Sequence, residues 1–304
     1  LNGIVVINKP AGLTSHQVVK EIRTIFPGVK VGHSGTLDPI ATGILTVCLG
    51  KATRIAEYIM ELPKVYRAGI ALGEVTDTDD SAGEVIEQIP VSVFTQEQVE
   101  EIVQGFEGEI EQTPPAYSAV KYQGKPLYHW TRRGREVPRQ ARKAYVYRIE
   151  LLDYNPESKP HLIIEVECSK GTYIRTLAAD LGRVTGTGGH LYFLERSAVG
   201  PMSLNNAYTP EELKELAAEG RSDDAVLPMD FALRQFPALS LDERRVTFLK
   251  NGRPVDLDPD EMAGEISTGK PVRIYDTSAR FKALARADQQ AAGTMLKTLK
   301  YLSD

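Results

Sequence analysis

One carboxylate in this chain stands in a setting built for close backbone approach. In GHSGTLDPIATG, residues 32–43, three glycines (Gly32, Gly35, Gly43) bracket Asp38, which Pro39 follows. Glycine tolerates φ values and backbone approaches that other residues resist. An aspartate with a reference pKa of about 3.9 is ionised at neutral pH and can serve as a nucleophile. The same pair is also how many helices begin, with Asp as N-cap and Pro at the first helical position. A second chemical setting is the segment KYQGKPLYHWTRRGREVPRQARKAYVYR, residues 121–148. It sets nine Lys and Arg against the single acid Glu136 and interleaves them with Tyr122, Tyr128, His129, Trp130, Tyr145 and Tyr147. That mixture suits phosphate contact with stacking on unpaired bases, or else a solvated charged face.

Other motifs fail on inspection. Gly50-Lys51 suggests a phosphate loop, but Leu45 stands where the first glycine belongs and Ala52 where Ser or Thr must bind magnesium. DTDDSAGEV, from Asp77, resembles a calcium loop, yet its glycine is Gly83 at position 7, Ala82 sits at the turning position, and position 12 is Gln88. His16, His33, His129, His161 and His190 show no HxxxH spacing, and Cys48 and Cys168 lie far apart without a CxxC. Neither a metal centre, a nucleotide cofactor nor a disulfide framework is expected, and the reducing cytoplasm is the expected compartment.

The elements that must position these groups can be read from periodicity. Residues 4–7 and 44–49 form apolar strands, and 65–72 another. Thr14 or Ser15 caps a helix with Val18, Ile22 and Ile25 on one face. Thr95 caps a second, with Val99, Ile102, Val103 and Phe106 as its stripe. The Gln112–Pro115 break opens the basic segment, which lies on the surface and returns through a strand near 143–152. A strand at 161–169 precedes GTYIRTLAADLG, a glycine turn and a helix ended by Gly182, and 191–194 is a further apolar run. After a break at 222–240, a short helix at 242–250 leads into a small, mainly β domain. With 304 residues, 42% hydrophobic and 25% charged, the chain can bury a substantial core. No stretch reaches the length and apolarity of a membrane span, and no leader pattern opens it. The net charge of -5 is unevenly laid out. Residues 74–111 carry 12 acids and no base, while 121–148 sum to +8 and 266–304 to +4.

Several dispersed segments together resemble the TruB-type tRNA pseudouridine synthases. NKPAGLTS (8–15) is similar to the family's first motif and GHSGTLDPIATGIL (32–45) to its catalytic loop. KVYRAGIALGEVTDTDDSAGEV (64–85) resembles the tyrosine-bearing strand with its acidic loop, and QTPPAYSAVKYQGKPLYHWTRRG (112–134) the RNA-gripping insertion. SKGTYIRTLAADLG (169–182) is similar to the arginine motif and GGHLYFLERSAVGPM (188–202) to the segment closing the pocket. Departures are Ser34 where Thr is commoner, Gly189 where Ala is usual, and Glu195 where a base is frequent.

The resemblance implies an α+β fold: a mixed, largely antiparallel sheet flanked by helices. Residues 1–238 would form the catalytic domain, with 113–148 as its surface RNA-binding insertion. Residues 239–304 would form a small PUA-like β-barrel. It implies isomerisation of uridine to pseudouridine at position 55 in the T-loop of tRNA, without cofactor or metal, by a cytoplasmic monomer. Asp38 is then the nucleophile, attacking either C1′ of the ribose or C6 of the uracil. Arg175 is its ion-pair partner, and Tyr66 the ring that stacks on the flipped-out base. His33, Tyr173 and Leu194 would line the uridine pocket. The RNA grip falls to Lys121, Lys125, Arg132, Arg133, Arg135, Arg139, Arg142 and Lys143. Two readings from other classes are an RNA-binding or tRNA-folding protein with an incidental pocket, and a metal- or nucleotide-dependent enzyme using loop 77–84.

Overall fold

The computed structural model describes residues 1–92, 94–157, 160–262, 266–290 and 293–303. The chain opens with β1 (Gly3–Lys9), α1 (Ser15–Ile25), β2 (Val31–His33), β3 (Thr42–Leu49), α2 (Ala56–Glu61) and β4 (Lys64–Leu72). A hairpin of β5 (Glu74–Thr76) and β6 (Val85–Gln88) leads to α3 (Gln96–Gln104) and β7 (Gly108–Gln112). The basic segment forms a short hairpin, β8 (Lys121–Tyr122) and β9 (Lys125–Pro126), capped by α4 (Leu127–Thr131). Then follow β10 (Arg142–Asn155), β11 (His161–Cys168), α5 (Ile174–Val184), β12 (Gly189–Val199), β13 (Met202–Ser203) and α6 (Pro210–Ala218). The C-terminal part comprises β14 (Ala238–Ser240), α7 (Glu243–Lys250), β15 (Val255–Asp256), α8 (Pro259–Met262), β16 (Pro271–Tyr275), β17 (Phe281–Gln290) and β18 (Gly293–Tyr301).

The main sheet runs β1-β3-β12-β4-β11-β10-β7, with β2 beside β3 and β13 beside β12. Its pairings are antiparallel except one: β12 meets β3 in parallel, with Glu195 opposite Thr42 and Arg196 opposite Gly43. One face buries Ala68, Ile70, Leu162, Ile164 and Val166 against apolar residues of α1, α3 and α5, the period-2 burial expected of a half-covered sheet. Toward β1 and β3 the other face is covered as well, by α2, the 229–233 turn and Leu284 and Leu302 from the C-terminal part. The C-terminal sheet, β14-β16-β17-β18-β15, curls around its own core of Leu241, Leu249, Val272, Ile274, Ala285 and Leu296.

Local signals set the helix starts. Thr14 and Thr95 each form a capping box, with Gln17 and Gln98 reaching back to the cap nitrogen. α3 ends at Gln104, so Phe106 packs on the core from beyond the helix. One open alternative is decided and one expectation corrected. Asp38 begins no helix; its carbonyl accepts the Ala41 N–H at 3.1 Å, closing a tight turn through Pro39. Nor does Gly182 end α5, which runs on to Val184 and stops before Gly186, whose φ is +69°. Gly182 is needed for contact instead: a Cβ there would lie 2.3 Å from the Gly188 carbonyl carbon and the Gly189 nitrogen, where α5 crosses the start of β12.

Gly182→Ala should therefore overpack this crossing and destabilise the protein by about 1–3 kcal/mol. Urea unfolding should show a lower midpoint with an unchanged m-value.

Candidate active site

The loop between β2 and β3 carries Asp38 across the open end of the sheet, and several contacts pin it. Ser15, in the first turn of α1, donates its hydroxyl to the Leu37 carbonyl at 3.1 Å and accepts the Leu37 N–H at 2.9 Å. Gly12 N–H donates to the Pro39 carbonyl at 2.8 Å. Lys9, fully buried at the end of β1, donates Nζ to the carbonyls of Pro10 (2.9 Å), Leu13 (2.8 Å) and, more weakly, Pro39 (3.4 Å). The buried ammonium of the first motif's lysine is thereby satisfied by carbonyls of two loops, which it ties together.

Arg175 enters from the first turn of α5. Its Nε lies 3.0 Å from Asp38 Oδ2, and its side chain is 6% exposed against 38% for Asp38. The remaining guanidinium nitrogens reach Asp80 Oδ2 at 3.5 Å, the Thr78 carbonyl at 3.4 Å and the Tyr117 carbonyl at 2.8 Å. One guanidinium thus joins the Asp38 loop, the β5–β6 loop and the root of the basic insertion. The helix start is held in turn by Gln112, whose amide donates to the Tyr173 carbonyl at 3.1 Å and accepts the Tyr173 N–H at 2.9 Å.

Asp80 was not singled out from sequence. It belongs to the loop that mimics a calcium site, and its other carboxylate oxygen accepts from the Thr78 hydroxyl (2.7 Å) and the Ala82 N–H (3.0 Å). Asp79, with φ +61°, makes the turn, and exchanges between Ser81, Asp79 and Leu191 dock the loop on β12. The DTDD run was the available signal, but nothing in it marks which carboxylate turns inward.

Electrostatics converge on Asp38. Burial raises its carboxyl above the ordinary value, Arg175 opposes this most strongly, Asp80 adds to it and Lys9 opposes it. A carboxylate of raised basicity paired with a cation is a candidate nucleophile. Tyr66, on β4, has its hydroxyl raised by burial, with Arg196 pulling it down, and it lies within the field of Asp38. Tyr173 is likewise raised by burial and lies in the fields of Arg175 and Asp38. Leu194 is buried on β12 opposite Ala68 of β4, two residue pairs along from Arg196 and Tyr66. His33 ends β2; burial lowers its pKa, and its Nδ1 is buried without a hydrogen-bond partner. The structure therefore brings Asp38, Arg175, Tyr66 and Tyr173 into one electrostatic setting, with Leu194 and His33 on the adjoining strands.

The basic insertion stands beside this site. Trp130 donates Nε1 to the Tyr122 carbonyl at 3.2 Å, and Lys125 and Arg132 lie over the rings of Trp130 and Tyr128. Lys121, Lys125, Arg132, Arg133, Arg135, Arg139, Arg142 and Lys143 are all exposed. Arg139 caps the Pro114 carbonyl, and Lys143 pairs with Glu109 at 2.8 Å. The C-terminal bases are more engaged. Arg280 and Lys282 converge on Asp276, Arg286 and Lys297 on Asp288, and Lys300 reaches Glu57.

Burial depresses the Lys9 pKa to about 8, with Asp38 raising it and Arg196 lowering it further. The unfolded chain, with an ordinary lysine, binds more protons between pH 8 and 10.5 than the folded one, so this group makes stability rise with pH there. Lys9→Met should remove up to about 1.4 kcal/mol per pH unit from that slope, read by urea unfolding across the window.

The chain matches two family models that together span residues 23–234: "TruB family pseudouridylate synthase (N terminal domain)" over residues 23–174, and "tRNA pseudouridylate synthase B C-terminal domain" over 175–234. It is 40% identical over 288 residues to the tRNA pseudouridine synthase B of Saccharophagus degradans, covering 94% of this chain and 91% of that protein. To the same-named protein of Caldanaerobacter subterraneus subsp. tengcongensis it is 44% identical over 253 residues, 83% of this chain and 86% of that one. Among solved structures it resembles a chain of a Cbf5-Nop10-Gar1 complex, with 27% identity and a TM-score of 0.76, covering 99% of this chain and 85% of that one. A chain of an H/ACA RNP bound to a substrate RNA containing 2'-deoxyuridine is similar at 25% identity and a TM-score of 0.75, over 99% and 85%. The chain belongs to the TruB family of pseudouridylate synthases.

Proposed function

We propose that the protein converts uridine to pseudouridine at position 55 in the T-arm of tRNA, with Asp38 as nucleophile. The observation that carries this reading is the Asp38–Arg175 pair, held by three loops beside Tyr66. The reaction breaks the N1–C1′ bond, turns the base and joins C5 to C1′. The C5 proton leaves to solvent and N1 is protonated, so the product is an isomer and no electron or phosphoryl acceptor is consumed. Asp38 attacks C1′ or C6, Arg175 fixes the direction of its carboxylate, and Tyr66 supplies a ring for the uracil and a hydroxyl for proton transfer at C5. His33, Tyr173 and Leu194 line the pocket.

Extruding a stacked uridine costs a few kcal/mol, and RNA contacts elsewhere must offset that cost. Exposed bases and aromatic rings of residues 113–148 favour this insertion as the main grip. Residues 1–238 then act as the catalytic domain and 239–304 as a PUA-like RNA-binding domain. Most C-terminal bases already have internal partners, so the smaller part contributes less to phosphate binding. The protein works in the cytoplasm as a monomer without a cofactor.

Incubating a T-arm stem-loop with the pure protein, without added cofactor, should yield pseudouridine at position 55 by mass-spectrometric mapping. Asp38→Asn should bind tRNA normally yet release no tritium from RNA labelled at uracil C5; continued release would remove Asp38 from the chemistry. Replacing Arg132, Arg133 and Arg135 together by Ala should weaken tRNA binding and reduce the slope of log K against log salt by about 2. An unchanged slope would leave the insertion a merely solvated face.

A further inference from the structure

A second guanidinium is buried against the loop that carries Asp38 and has no carboxylate partner among the described residues. Arg196, on β12, is 2% exposed. Its Nε donates to the Ile44 carbonyl at 2.7 Å and one terminal nitrogen donates to the Gly35 carbonyl at 3.2 Å. These carbonyls lie at the two ends of the loop that carries Asp38. The backbone is committed to the same contact. Arg196 pairs with Gly43 where β12 meets β3 in parallel, and a Cβ on Gly43 would lie 2.3 Å from the Arg196 carbonyl oxygen. Gly43 and Gly35 both adopt positive φ, +93° and +99°. On the other side of β12, Arg196 stands opposite Tyr66 of β4 and interacts with its hydroxyl.

Stability alone does not explain a cation here. A buried guanidinium facing neutral carbonyls carries a desolvation cost that an apolar side chain avoids. Its charge also disfavours the protonated forms of buried Lys9 and Lys64 nearby. A planar fork can reach two carbonyls in fixed directions, which a lysine ammonium on its flexible stem does not reproduce.

We infer that Arg196 is a positioning residue for pseudouridine formation: its fork bridges the Gly35 and Ile44 carbonyls, closes the loop at both ends and so aims Asp38 at the pocket in register with Tyr66. The inference rests on the reading of Asp38 as nucleophile.

Single-turnover tritium release from tRNA at saturating enzyme tests it, with tRNA Kd measured separately. Arg196→Ala should leave Kd within about threefold while the rate falls about 10²-fold, the scale of loss expected from roughly 1 Å of misplacement. Methylguanidinium should restore a substantial part of that rate and methylammonium none. Arg196→Lys, which keeps the charge, should be similarly slow. A wild-type rate for Arg196→Lys, or a loss in Arg196→Ala confined to Kd, would overturn the assignment. Should Arg196→Ala fail to fold, Arg196→Lys decides alone. An inactive wild type, or an active Asp38→Asn, would instead sink the nucleophile reading itself.

Discussion

A guanidinium taken out of water must be neutralised and have its N–H groups satisfied, and Arg175 imposes that requirement on the whole catalytic face. Its partners come from three places in the chain: Asp38, the Thr78 carbonyl with Asp80, and the Tyr117 carbonyl. Arg175 is buried while the Asp38 side chain keeps 38% of its surface exposed, so losing a partner leaves the arginine as the charge that stays buried and uncompensated. The loops are thus positioned by the same charge that pairs with Asp38, which couples local stability to the geometry of the site.

The sheet supplies the rigid frame for this arrangement. β4 and β12 run antiparallel and place Tyr66 opposite Arg196 and Ala68 opposite Leu194, while β12 meets β3 in parallel at the end of the Asp38 loop. Lys9 at the end of β1 and Ser15 at the start of α1 hold the same loop from the other side. A surface loop anchored by buried donors at its base and at both ends keeps few alternative conformations. Such preorganisation is what the proposed role of Asp38 requires.

Charge is divided in the same way. The net charge of -5 hides an uneven layout: the acidic block 74–111 and the basic segment 121–148 meet along β7 and β10, where Lys143 pairs with Glu109, and the bases from Lys121 to Arg142 stay exposed. Glu97, Glu100 and Glu101 lie on α3, whose Val99 and Val103 face the core, whereas Asp80 of the same acidic block is 6% exposed and serves Arg175. The insertion keeps its bases outward around a small aromatic cluster. The C-terminal sheet spends most of its bases on Asp276, Asp288 and Glu57.

Much of this was legible in the sequence. Apolar periodicity and the Thr14 and Thr95 caps located α1 and α3, and the motif residues Asp38, Tyr66 and Arg175 could be named by resemblance before any coordinates. Other features were not. Asp-Pro at 38–39 reads equally as a helix start or a turn, and the pinning of its loop from outside decides for the turn. Gly182 reads as a helix stop until Gly188 and Gly189 are seen packed against it. Asp80 and Arg196 carry no local mark, because their partners lie far away in the chain and an ion pair or a carbonyl contact leaves no periodic trace. Sequence by itself determined the elements and the kinds of chemistry available, since caps, turns and strand alternation depend on neighbours within a few residues. Which carboxylate faces inward, and which buried cation holds the loop, were decided by strand register across long separations, where burial forces every charge and carbonyl to find a partner.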